Sequence, residues 1–171
     1  MRKLALLLLA TLAAPAAAQD HAAPAPSLAR WDIQTANGQR YLRATANEGD
    51  GPGKLMFLCN DRRELVVMAM LAHDDADSLA GAGAAAVWII DAALARDAAP
   101  PGSQPVVMNQ AAMSLIALDA AAYRRVFAAH AAGIAWLDSS GAVRADFQIG
   151  MENGREQLAA FARECNAQLY P

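Results

Sequence analysis

The sequence has little of what recognisable chemistry usually rests on. It holds only two cysteines, and they do not form a C-x-x-C pair. A dithiol redox motif and a multi-cysteine zinc centre are therefore excluded as motifs. No G-x-S-x-G sets a serine on a strained strand-to-helix elbow. Gly49, Gly51 and Gly53 alternate, but no Lys-Ser/Thr follows them, so a phosphate cradle is excluded as well. Lysine is nearly missing: 2 Lys stand against 12 Arg, with no basic patch and a formal net charge of -3. That balance argues against a nucleic-acid partner. Past the first 18 residues no apolar run reaches the length of a membrane span.

Alanine is abundant, at 44 of 171 residues, and apolar residues together make up 56%. This is enough to bury one core, although alanine adds little burial per residue. Residues 1–18 read as a secretory signal. Arg2 and Lys3 open it, Leu4 to Leu12 is its apolar stretch, and Ala16-Ala17-Ala18 supplies small residues for cleavage. Removal leaves 12 basic and 17 acidic residues, a net charge of -5. The expected location is periplasmic or secreted. Residues 19–29 form a Pro/Ala-rich flexible leader, and 30–171 form a single secreted domain. Cleavage after Ala18 makes His21 the third residue, a position from which it can complete a square-planar Cu(II) or Ni(II) site. The simpler reading is that His21 stands third by chance, and cyclisation of Gln19 would remove the amine such a site needs.

Turn signals punctuate the domain. Asn37-Gly38 predicts a hairpin between 31–36 and 40–46. Strands are expected at 54–59 and 64–71, joined by Asn60-Asp61-Arg62-Arg63. Further strands are expected at 86–92, 105–109 and 113–118. Asp119 is placed to cap a helix from Ala120 to about His130, with Gly133 as its stop. A last hairpin spans 133–137 and 142–149, with Val143, Ala145, Phe147 and Ile149 inward. A closing helix runs from about Gly154 to Gln168. The fold class is α+β: an antiparallel β-sandwich or curled sheet of about seven to nine strands with two helices.

Two periodicities place the cysteines. Leu55, Phe57 and Cys59 share one face of an alternating strand. Leu158, Phe161, Ala162 and Cys165 share one face of a helix. Both thiols point inward, and an oxidising compartment favours their pairing. A Cys59–Cys165 disulfide is expected, tying the last helix to the strand.

Candidate chemistry is thin. His73 precedes Asp74, Asp75 and Asp77, but a solvated turn explains that cluster. His130 falls at a helix end, where capping explains it. Met56, Met68 and Met70 suggest copper, yet strand spacing in apolar surroundings points to core packing. Ser139-Ser140 belongs to a turn, and Arg62-Arg63 and Arg124-Arg125 are surface pairs. No catalytic residue, metal ligand set or cofactor site is assigned.

Several marks together resemble one small secreted family. They are Trp31, Leu55 to Cys59, Val87-Trp88-Ile89-Ile90-Asp91, Tyr123 to His130, Gly133 to Leu137, Phe147-Gln148-Ile149-Gly150, and Leu158 to Cys165. The layout from 31 to 165 resembles the periplasmic type VI secretion accessory proteins. It is similar, less closely, to the invasion-associated locus B family. The resemblance implies a small β-rich domain serving a secretion system or the cell envelope. The expectation is a non-catalytic binding or accessory domain. Its partner would be a cell-envelope protein, a glycan or a small apolar ligand. The alternative is a small hydrolase whose site is assembled from distant residues. A cleft joining His73 or His130 to a carboxylate and a hydroxyl favours the hydrolase; a continuous apolar groove or open sheet edge favours the binder.

Overall fold

Alternation and turn chemistry build the first sheet strand by strand. The structure is a computed structural model and describes residues 29–46, 53–72, 79, 85–95, 106–108 and 111–170. The first hairpin joins β1 (Ala29–Ala36) to β2 (Gln39–Ala46). Asn37 and Gly38 take φ of 52° and 76° there, the left-handed pair that matches strand twist. Next come β3 (Gly53–Cys59) and β4 (Leu65–Ala72), joined by the polar turn at Asn60. Asn60 Oδ1 accepts from the Arg62 and Glu64 amides, which lets Arg63 sit at φ 62°.

The chain then enters a second sheet with β5 (Ala85–Ile90) and β6 (Ala93–Ala95). It returns to the first sheet with β7 (Val106–Met108) and β8 (Ala111–Leu118). Helix α1 (Ala120–Ala128) carries it over to β9 (Ala131–Leu137) and β10 (Val143–Gly150). After a single 3-10 turn, helix α2 (Arg155–Asn166) closes the fold. The six-stranded sheet has the order β1-β2-β3-β4-β8-β7, the four-stranded one β10-β9-β5-β6. Every pairing is antiparallel. The architecture is α+β, as expected, with one short strand, β6, beyond those placed from sequence.

The core lies between the sheets. Leu42, Leu55, Phe57, Leu65, Val67 and Ile116 face Trp88, Ile134, Trp136 and Ile149. Phe57 stacks on Trp31, and Trp136 donates its indole N–H to Ser114 at 2.9 Å. Gly154 fits where it does because a Cβ there would fall 1.9 Å from the Trp31 ring. The disulfide Cys59–Cys165 is present, with Cα atoms 5.5 Å apart. Leu158, Phe161, Ala162 and Cys165 are all buried on the inner face of α2.

Four expectations need correction. Asp91 and Ala92 are not strand but a two-residue turn, at φ 47° and 67°. Asp91 Oδ1 secures the turn by accepting from the His130 and Ala131 amides at 2.8 and 3.0 Å. Helix α1 stops at Ala128, and Gly133 lies inside β9, not at a helix end. A Cβ at Gly133 would meet the Phe147 carbonyl oxygen at 1.8 Å, so close backbone approach explains this glycine. A bulge between Val143 and Ala145 turns Val143 to the other side of the second sheet, against Val87, Ile89, Ala135 and Leu137. The fourth correction concerns the methionines. Met56, Met68 and Met70 do not pack in the core. They lie on the opposite face of β3 and β4, half-buried.

Candidate functional site

The outer face of the six-stranded sheet forms by simple alternation. Along β4, Leu65, Val67, Ala69 and Leu71 point inward, which leaves Val66, Met68 and Met70 outward. Cross-strand register extends this set. Lys54 pairs with Met70, Met70 with Met113, and Met113 with Val106. In the next row Arg43 pairs with Met56, Met56 with Met68, and Met68 with Leu115. A third row runs through Tyr41, Leu58, Val66 and Ala117. The strands β3, β4, β8 and β7 thus carry an apolar field containing four methionines. Leu115 and Val106 are each 59% exposed within it.

The β1–β2 side of the same face is polar. Arg43 grips Asp32 through Nε and Nη2 at 3.1 and 3.0 Å. Gln34 donates to Asp32 at 2.6 Å, and the Tyr41 hydroxyl donates to Gln34 at 2.8 Å. The face thus carries an apolar field beside a polar border whose side chains hydrogen-bond one another.

The contacts that the second sheet and α2 make with this sheet fall on its other side: Phe147 lies against Gly53, Trp136 reaches Ser114 and Cys165 joins Cys59. None of the outward methionines belongs to the core cluster or packs against it.

The residues weighed from sequence fall elsewhere. His130 is 83% exposed, with Nδ1 3.9 Å from Glu152 Oε1, itself 77% exposed. An open pair of this kind is no cleft. His21, His73, Asp74, Asp75 and Asp77 lie outside the described residues, as do the signal 1–18 and all but the last residue of the leader. Among the described residues, no group of three or more His, Cys, Asp or Glu stands together as a metal centre. No described helix is long and apolar enough to cross a membrane. Ser140 sits in the turn with Asp138, whose carboxyl is held at about 2, first by the Ser140 hydroxyl and then by the Ala142 and Ser140 amides and Arg144. Arg63, read as a surface residue, donates Nη2 to the Glu164 carbonyl at 2.8 Å and Nε to the Cys165 carbonyl. It caps the C-terminus of α2, where a cation is favoured.

Met113 and Leu115 escaped the sequence reading. Both alternating sets of β4 are apolar, so period-2 patterning there expresses no preference for a side. In β8 Ser114 shares the inner set while Met113 and Leu115 share the outer one, which inverts the usual polar-out rule.

No protein family, no curated protein and no solved structure was found to match this chain.

Proposed function

We propose that this protein is a non-catalytic periplasmic binding or accessory domain that works through the outer face of its six-stranded sheet. The observation that carries the reading is the exposed apolar field around Leu115 and Val106, bordered by the Asp32–Arg43–Gln34–Tyr41 network. Val106 and Leu115 are two of the four exposed large apolar residues described, and a contiguous apolar patch of this kind marks an interaction site. An open sheet face suits a protein surface better than a glycan, which calls for a groove with convergent polar groups. Export to the periplasm agrees with the signal read at residues 1–18 and with a Cys59–Cys165 disulfide. Service to a secretion system or the cell envelope is the role implied by the resemblance to the type VI accessory proteins.

A photo-cross-linking residue placed at Leu115 tests this in exporting cells, with exposed Arg124 of α1 as the control position. The expected outcome is a discrete adduct from position 115, absent from 124 and abolished by Val66→Glu. Equal, diffuse labelling from both positions would remove the surface reading. Hydrolase activity in the purified protein, lost in His130→Ala with the fold intact, would favour an enzyme instead.

A further inference from the structure

We propose that the outward methionines form a binding site for a soft monovalent metal ion, Cu(I). The inference rests on the outer face being a binding surface and names a ligand for it. Met56 and Met68 stand directly opposite on β3 and β4, and Met70 and Met113 directly opposite on β4 and β8. Met68 and Met70 are two residues apart on one strand, so they share the face. Opposed side chains on paired strands have Cβ atoms about 5 Å apart. Two residues along a strand span roughly 7 Å. A methionine sulfur lies two bonds beyond Cβ on an unbranched, freely turning stem. Sulfurs of Met68 and Met70 can therefore meet at a point above the space between them. Met56 reaches that point from one side and Met113 from the other.

The donor set decides the ion. Thioethers are soft, neutral ligands that select Cu(I) over harder divalent ions. Neutral sulfurs cannot offset a double charge, which further favours a monovalent cation. Asp32, the carboxylate of the same row, is engaged by Arg43 and Gln34 and is separated from Met56 by Arg43. Hence, among the described residues of these rows, no carboxylate competes at the centre of the patch. The four side chains are partly exposed, which gives a delivered ion a route to them, whereas Met151 is fully buried in the core.

The test is anaerobic titration of the purified protein with Cu(I) against a chromophoric chelator, followed by NMR of methionine methyl groups. One equivalent is expected to bind. The methyl signals of Met68, Met70 and Met56 or Met113 should shift, while that of Met151 stays. The double change Met68→Leu plus Met70→Leu keeps the face apolar and should weaken binding at least tenfold without lowering the melting temperature. His21→Ala should leave Cu(I) binding unchanged. Failure to hold Cu(I) against the chelator, equal binding by the Leu variant, or loss of binding in His21→Ala would each overturn the proposal. If Cu(I) binding fails while the adduct from position 115 persists, the metal site falls and the binding surface stands. Loss of both removes both.

Discussion

Tyr170 shows how much one side chain can join. Its hydroxyl donates to the Leu118 carbonyl at 2.9 Å and accepts from the Leu65 amide at 3.0 Å. Those two residues are themselves paired across β4 and β8. The ring packs edge-on against Tyr123 of α1, so the segment after α2 closes over the paired ends of β4 and β8. Tyr170→Phe leaves a buried amide and a buried carbonyl short of a partner. It should cost about 1–3 kcal/mol in denaturant unfolding. Burial, ahead of the nearby Glu64 and Asp119 charges, raises the Tyr170 pKa above its ordinary 10.0, with the Leu65 amide opposing. In that window the unfolded chain loses its proton first, so its ionisation favours unfolding. The Tyr170 contribution is therefore complete below pH 10 and declines as pH rises beyond it. Melting temperatures measured from pH 8 to 11 should fall less steeply above pH 10 in Tyr170→Phe. Nothing local in Asn-Ala-Gln-Leu-Tyr-Pro announces this role, since both partners lie more than fifty residues away.

At the scale of elements, the attachment of α2 was readable in advance, but only in part. Helical spacing of Leu158, Phe161 and Cys165, with strand spacing of Leu55, Phe57 and Cys59, was sufficient to bring the sulfurs together. The Arg63 fork onto the last carbonyls of α2 was not readable, because it depends on a left-handed φ in the turn before β4. The bridge spans a sequence separation of 106 residues. Closing such a loop contributes roughly 4–5 kcal/mol in the chain-entropy account. Cys59→Ala plus Cys165→Ala should lower the melting temperature clearly while far-UV circular dichroism in the cold stays near that of the parent. An unchanged melting temperature would show that core packing alone anchors α2.

Across the whole molecule, the first sheet is two-faced, and its faces should answer mutation differently. Ile116 is fully buried on the inner face, whereas its neighbour Leu115 is 59% exposed on the outer one. Ile116→Ala opens a cavity between the sheets and should cost about 2–5 kcal/mol. Leu115→Lys touches no core contact and should change stability by less than about 0.5 kcal/mol. Urea midpoints of the two variants check this. A large loss from Leu115→Lys would mean that the outer face is structural.

The sequence by itself determined the α+β class, most strand positions, the Asn37-Gly38 hairpin, the Asp119 cap and the disulfide. Each of these follows from short-range periodicity, turn chemistry or cysteine count. Only the tertiary structure decided which side of an all-apolar strand is core. Leu65 to Leu71 is apolar at every position, so alternation defines two faces without ranking them. The ranking came from what the second sheet and α2 could cover, namely the side bearing Phe57, Val67 and Cys59. The methionines stand on the other side, because the second sheet and α2, among the described elements, pack on one face of this sheet only.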